Sequence, residues 1–408
     1  MWGQARILIP RPGQVFQTPS TRCITFGSPA SRRWTSSTQA GPEGKPLTTL
    51  PSLEDPAARI FSGIQPTGSL HLGNYLGSIR NWLNLQQAAT AAQLDSVQAQ
   101  RKLIFSIVDF HALTQPQDPT QLRSDIRQMA ATILASGLDP ERCILFRQSH
   151  VAEHTQLAWP LQCLTPMGWL NRMTQWKSKL QTKRGLTDRQ LQNFDIAQSG
   201  LCQGLFAYPV LQAADILLYR ANLVPVGEDQ LQHIELARDI AALANKTVQQ
   251  MFFPLPRAVL TPTKRLMSLR DPARKMSKSD PQPLSRISLT DTPEEIHAKI
   301  RRAVTDSISQ PTFDPELRPG VSNLLEIYSG MTDLSVAEIT QLHAQSNTQQ
   351  FKEALAEVVV AKINPIRTEL VRLQTDPEYL DSVLAQGADR AREIASVNYR
   401  QFGELMGL

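Results

Sequence analysis

The sequence predicts an α/β chain: a parallel sheet built from strand–helix–strand units, followed by an α-helical region. Three observations lead there. Short apolar runs ending near Gly63, Val108 and Phe146 alternate with helix-period segments at 72–85 and 120–135, the rhythm of parallel βαβ units. From about Ser285 onward helical patterns follow one another without a strand signal. Finally, 408 residues with 41% apolar and 19% charged side chains suit two or three domains with a sizeable core. That composition excludes a disordered chain, a fibrous repeat and a disulfide scaffold. No run approaches the roughly 18 apolar residues needed to span a bilayer, so no membrane insertion is expected.

Each element follows in order. Residues 1–42 hold Arg6, Arg11, Arg22, Arg32 and Arg33 and no Asp or Glu, which reads as a mitochondrial or plastid transit peptide, the mitochondrial address being the one expected. Ile7-Leu8-Ile9, followed by Pro10, is too short for a secretory apolar core. The net charge of +5 belongs to this leader, because 37 Lys and Arg elsewhere balance 37 Asp and Glu. Any polyanion must therefore meet a local patch. A Pro/Gly-rich linker occupies 43–58, and order begins with the strand at Arg59. After Gly63-Ile64-Gln65-Pro66-Thr67-Gly68, apolar Leu72, Leu76, Ile79 and Leu83 mark a helix. Lys102–Val108 and Cys143–Phe146 are the next strands, separated by a helix over Thr120–Ala135. Residues 155–181 and 210–245 read as helical, with Lys183–Asn193 between them as loop inside the polar stretch Gln181–Gln198. Helices are predicted over Pro293–Val304, Val321–Tyr328, Ser335–Gln345, Thr348–Leu373, kinked or split at Pro365, and Pro377–Leu405. The chain divides near residue 285, into 59–284 and 285–408. Cys23, Cys143, Cys163 and Cys202 lack metal-site spacing and read as small buried hydrophobes in a reducing compartment.

Chemistry concentrates in two places. Where the first strand opens into a helix, His71, Gly73 and Asn74 gather beside free backbone N–H groups, which attract phosphate. Far downstream, Arg274-Lys275-Met276-Ser277-Lys278-Ser279 offers cations that can follow charge onto a leaving pyrophosphate. Either alone is also explained blandly, as a strand-to-helix turn and as a solvated basic loop.

Together, His71-Leu72-Gly73-Asn74 and Lys275-Met276-Ser277-Lys278-Ser279 resemble the paired motifs of class I aminoacyl-tRNA synthetases. Ile60-Phe61-Ser62-Gly63-Ile64-Gln65-Pro66, Ile107-Val108-Asp109-Phe110-His111-Ala112, Ala213-Ala214-Asp215-Ile216 and Val224-Pro225-Val226-Gly227-Glu228-Asp229-Gln230 narrow the likeness to tryptophanyl-tRNA synthetases of the bacterial and organellar type. The resemblance runs from Arg59 to the C-terminus. Asn74 stands where the family pattern has a second His, and Gln212 where bacterial relatives usually have Met.

The resemblance implies a Rossmann-like catalytic domain with a helical anticodon-binding region. It implies ATP and L-tryptophan as substrates, Mg²⁺ carried with ATP, no structural metal, tRNA(Trp) as partner and a homodimer; the leader, outside the resemblance, makes the mitochondrial matrix the expected location. His71, Asn74, Lys275, Ser277 and Lys278 are expected to act in catalysis. Gln65, Pro66, Thr67, Gly73, Asn74, Gly227, Glu228, Asp229, Leu266, Met276 and Ser279 are expected to surround ATP with those lysines, and Lys179 to approach its phosphates. Phe61, Gln175, Tyr208, Asp215 and Gln230 are expected to hold tryptophan. Read without the family, Asp215 lies in an apolar helical stretch where an ionised carboxylate is costly unless it meets a donor, and an indole ring carries one. On this residue alone, a structural carboxylate that caps or pairs locally is the better reading, and only the resemblance assigns Asp215 to the indole. Lys299, Arg301 and Arg302 are candidate tRNA contacts, or equally a solvated helix face; His233 reads as a helix-surface or packed histidine, and Trp159–Trp176 is the candidate dimer segment. Competing assignments are a tyrosine-specific synthetase, a nucleotidylyltransferase and a catalytically silent RNA-binding derivative.

Overall fold

Five strands form one parallel sheet in the order β3-β2-β1-β4-β5: β1 Ile60–Ile64, β2 Leu103–Ile107, β3 Ile144–Arg147, β4 Leu223–Val226 and β5 Arg257–Leu260. The computed structural model describes residues 46–49, 52–68, 70–174, 176–177, 202–260, 266–278, 280–332 and 334–408. The leader, Gln175, Lys179, Gln181–Gln198 and Ser279 lie outside the described residues.

Helices cover both faces of the sheet, so its strands are apolar on both sides, as parallel sheets require. Ile60, Leu103, Phe105 and Leu145 enter one core with Leu72, Trp82 and Ile133. Their neighbours Phe61, Ile104, Ile144 and Phe146 enter the other, with Leu161, Val210 and Leu217. The chain winds outward from β1 through β2 to β3, then returns to the other side of β1 as β4 and β5. Strand order therefore reverses between β1 and β4, and ligands of open α/β sheets bind at such a switch, beyond the carboxyl ends of the strands.

Local signals set the helix ends. Asp118 caps Pro119–Ala135, with Pro119 at the first helical position, where its missing N–H costs nothing. Thr292 and Glu295 form a capping box on Pro293–Arg301. Helices also span Pro319–Met331, Val336–Leu342, Thr348–Gln374 and Pro377–Met406. Pro365 does not split its helix, which runs continuously from Thr348 to Gln374.

Two differences from the sequence reading concern strands. The stretch 210–245 is helix Gln203–Leu218, strand β4, then helix Leu231–Thr247. Strand β4 is four residues long and contains Pro225, which lacks a ladder N–H; on the β1 side only Leu223 pairs, with Ile60, so the proline lies beyond that ladder. Strand β5 was not anticipated at all.

The C-terminal helices pack onto the sheet. Gly387 lies so close to β3 that an added Cβ would overlap the Leu145 carbonyl, and Phe402 meets Phe252 and Phe253 at ring-centroid distances of 5.6 and 4.8 Å. The described residues form one compact unit, none of whose helices is long and apolar enough to cross a membrane. Of the described cysteines only Cys143 is buried, while Cys163 and Cys202 are exposed.

Candidate active site

A cavity of about 1080 Å³ opens at the switch between β1 and β4. Its floor is made by Phe61 and Gly63 of β1 and Val224 and Val226 of β4.

One wall is the turn after β1. His71 caps the short helix Leu72–Asn74: its Nδ1 accepts from the Gly73 N–H at 3.1 Å, and Asn74 Oδ1 accepts from the His71 N–H at 3.2 Å. Because Nδ1 accepts, a neutral His71 ring carries its proton on Nε2 and is a donor there. Burial, then the positive charges of Lys275, Arg286 and Lys278, pull its pKa down to about 4. A Cβ at Gly73 would sit 3.0 Å from His71 Cε1, so any larger residue there would press on the imidazole and shift it. A π-helical turn over Tyr75–Ile79 follows, a device found frequently at functional sites. Gln65, His71, Gly73 and Asn74 all line the cavity.

The lysine segment reaches this wall. Met267 and Lys275 form an antiparallel bridge, flanked by hydrogen bonds from Ser268 N–H to the Arg274 carbonyl (2.8 Å) and from Met276 N–H to the Leu266 carbonyl (3.0 Å). Leu266, Lys275 and Met276 line the cavity. Lys278 donates from Nζ to the Thr67 carbonyl, so two segments some 200 residues apart in sequence meet across the opening. The described Pro66, Thr67, Ser277 and Lys278 do not line the cavity.

Beyond β4, Gly227, Glu228, Asp229 and Gln230 border the cavity. Glu228–Gln230 form a 3-10 turn leading into helix Leu231–Thr247. The two carboxylates thus face both the cavity and a positive helix terminus.

The deep end is built around Asp215, which is 1% exposed. His111 Nε2 and Asp215 Oδ2 are 2.7 Å apart; Oδ1 accepts from Gln148 Nε2 and His154 Nδ1, each at 2.7 Å. Burial would raise the acid's pKa, but the hydrogen bonds from His111 and His154 outweigh it and hold the group ionised, at about 2. An ionised carboxylate only accepts, so His154 donates from Nδ1 and its Nε2 accepts from the Tyr219 hydroxyl at 2.9 Å. Burial and the nearby Asp215 charge push the Tyr219 pKa well up, keeping that donor protonated. A carboxylate has about four acceptor positions. Three donors among the described residues leave one open, on Oδ2, in a residue that borders the cavity. Phe61, His111, Tyr208 and Gln212 complete this end. Tyr208 bonds through its hydroxyl to His233 Nε2 at 2.7 Å, so His233 is a packed histidine with a defined partner.

Sequence reading missed His111, Gln148 and His154. Two of them, His111 and Gln148, follow the carboxyl ends of β2 and β3, positions that a parallel sheet presents to its ligand. It also placed Lys299 among tRNA contacts; instead Lys299 is buried, with Nζ 2.5 Å from Asp291 Oδ2. A lysine so buried needs a charged partner and cannot meet a phosphate.

The sequence matches the family of class I tRNA synthetases (W and Y) over residues 54–364, and the chain belongs to that family. The Rickettsia conorii tryptophan–tRNA ligase is 43% identical over 349 residues, 85% of this chain and 98% of that protein. The Saccharomyces cerevisiae mitochondrial tryptophan–tRNA ligase is also 43% identical, covering 92% and 97%. The crystal structure of the Campylobacter jejuni tryptophanyl-tRNA synthetase complexed with ADP and tryptophan superposes with a TM-score of 0.67 at 32% identity, over 86% of this chain and 100% of that one. Within its class, the chain is an enzyme of the tryptophan–tRNA ligase branch.

Proposed function

We propose that the cavity holds L-tryptophan and ATP together, with the indole against Asp215 and the triphosphate between His71 and the lysine hairpin. The observation that carries this reading is the acceptor position on Asp215 Oδ2 that the described residues leave open. An indole N–H fills it, whereas a side chain without a donor leaves the charge short of a partner, a mismatch that can discriminate by ~10⁴–10⁵. The relative solved with ADP and tryptophan, an adenine nucleotide beside the amino acid, supports this reading.

The tryptophan carboxylate attacks the α-phosphorus, the bond to the bridging oxygen breaks, and pyrophosphate leaves. No side-chain nucleophile is required; the protein supplies position and charge. His71 donates from Nε2 and Asn74 stands at the helix end, while Lys275, Ser277 and Lys278 arrive on the hairpin. Gln65, Pro66, Thr67, Gly73, Met276 and Ser279 enclose the phosphates, Gly227, Glu228 and Asp229 the ribose, and the Leu266 backbone the adenine. Phe61, Gln175, Tyr208 and Gln230 flank the amino acid. Mg²⁺ travels with ATP and its waters. In the second step the 2′-hydroxyl of the tRNA(Trp) terminal adenosine attacks the activated carbonyl, an ester forms, and AMP leaves.

The enzyme serves mitochondrial translation in the matrix, addressed there by its acid-free leader of residues 1–42, and works as a homodimer through the face that exposes Trp159 and Met167. Helices of 285–408 read the anticodon.

ATP–pyrophosphate exchange tests the reading. Exchange should depend on tryptophan and not on tyrosine; tyrosine-dependent exchange would transfer the chain to the tyrosine branch. Import of the full chain into energised mitochondria, and exclusion of a chain lacking 1–42, tests the address.

A further inference from the structure

We infer that Asn323 is a positioning residue that sets the lysine hairpin on ATP, an inference resting on the nucleotide reading above. Asn323 lies in helix Pro319–Met331 and is 3% exposed. Its Oδ1 accepts from the Met267 N–H at 2.8 Å, and its Nδ2 donates to the Met267 carbonyl at 3.0 Å. One side-chain amide thereby behaves as a neighbouring strand one residue long.

The bridge geometry explains why Met267 needs it. In an antiparallel pair, opposed residues alternate between exchanging both hydrogen bonds and exchanging none. Met267 and Lys275 are a pair of the second kind, because the bonds come from the flanking residues, Ser268 to Arg274 and Met276 to Leu266. Backbone groups of Met267 therefore point away from the hairpin, toward Asn323. The same outer edge continues at Leu269, whose N–H reaches the Ser285 carbonyl (2.9 Å) and whose carbonyl accepts from Val304 (2.8 Å).

Strand 266–269 is thus held on its inner edge by the lysine arm and on its outer edge by Asn323 and Val304. Gly320, one turn before Asn323, brings the helix against this backbone, since a Cβ there would overlap the Val304 carbonyl. Helix position is transmitted through one amide to the strand that carries Leu266 and pairs with Lys275, both of which line the cavity. Any loosening of the amide moves the lysines relative to the His71 turn, and misplaced charge loses transition-state stabilisation while tryptophan binding at the other end is spared.

The test compares Asn323→Ala, Asn323→Asp and Lys278→Ala. Asn323→Asp is isosteric, keeps the acceptor for Met267 N–H, and sets a carboxylate oxygen against the Met267 carbonyl; it carries the test if truncation to alanine unfolds the chain. In ATP–pyrophosphate exchange, kcat/KM for ATP should fall between about fivefold and a hundredfold, the range for one stranded hydrogen-bonding group. Tryptophan affinity measured without ATP should stay within about twofold. Hydrogen exchange should quicken in a peptide covering 266–278 and not in β2, a local signature that general unfolding would not give. Unchanged ATP parameters in the Asn323 variants, beside a defective Lys278→Ala, would overturn the role of Asn323. Equal losses of ATP and tryptophan affinity would overturn it as well. Normal ATP parameters in Lys278→Ala would instead remove the nucleotide reading on which it rests.

Discussion

Replacing Asp215 by asparagine should turn the indole site from an acceptor into a donor while leaving the chain folded. Oδ1 already takes two hydrogen bonds, from Gln148 and His154, so the amide oxygen belongs there. The amide nitrogen then occupies the place of Oδ2, facing His111 Nε2 at the 2.7 Å spacing of the present contact. A neutral imidazole answers by exchanging tautomers and accepting through Nε2. The second amide hydrogen points at the one position that remained open, which is where an indole N–H would arrive. Tryptophan then loses a charge-assisted hydrogen bond, about 1.5–3 kcal/mol, and meets an unsatisfied donor, about 1–3 kcal/mol more. A loss in kcat/KM of roughly 10²–10⁴ follows. The assay is ATP–pyrophosphate exchange with tryptophan and with its analogue bearing oxygen in place of the indole N–H. Wild-type enzyme should prefer tryptophan; Asp215→Asn should approach parity or invert the order. A folded variant that keeps the wild-type ratio would refute the indole assignment. Asp215→Ala is the weaker test, since it strands three donors in the core and damages folding along with recognition.

Further outcomes follow from the same geometry. Lys278→Ala should slow adenylate formation by about a hundredfold and leave tryptophan affinity nearly unchanged; equal losses in both, read from pre-steady-state activation and equilibrium dialysis, would count against it. Acid should destabilise the fold between pH 6.5 and about 4, because burial lowers the pKa of His71 and of His233 to about 4. The unfolded chain binds those protons first, so stability rises with pH through this window, by up to about 3 kcal/mol per histidine. Urea midpoints across that range check it, and His71→Asn, which can still cap its turn, should flatten part of the slope. Asp215 adds a second loss as pH falls from 3.8 toward about 2. Gly387→Ala should cost about 1–3 kcal/mol through overpacking against Leu145, visible as a Tm lowered by several degrees; an unchanged Tm would mean that the helix gives way freely.

Much of this was legible in the chain because the signals were local. Pro293 announces a helix start by its own chemistry, and the apolar runs of β2 and β3 announce burial on both faces. His71, Gly73 and Asn74 fall at a strand-to-helix junction that one can read from six residues. What stayed hidden depends on pairing across distance. Strand β4 is short and carries a proline, so only its place between β1 and β5 makes it a strand. His154 sits in helix Glu153–Leu164 and is indistinguishable by spacing from a core histidine until Asp215 is set beside it. Lys299 lies on a helix with a charged face, the usual sign of solvent, and only Asp291 reveals it as buried. Likewise Asp215 looked like an isolated acid in an apolar run, whereas its charge is supported by partners 61 to 104 residues away.

The same distance dependence says how the site is assembled. Sheet order alone brings β1 and β4 together, and with them the His71 turn and the Glu228–Gln230 turn. Nothing in that sheet fixes the lysines: segment 266–269 follows β5 in the chain and makes its outer hydrogen bonds with Asn323, Ser285 and Val304. The Ile287 and Leu70 carbonyls then accept from Leu72 and Leu289, tying the segment after the hairpin to the His71 turn. The His71–lysine end of the cavity therefore depends on helix Pro319–Met331 being in place, while the Asp215 end rests on the sheet and its covering helices, among them Pro377–Met406, whose Asn398 donates to the Leu218 carbonyl. On the proposed assignment, amino-acid recognition and nucleotide positioning draw on different helices of one fold, and that separation is why a substitution in one end should be readable without disturbing the other.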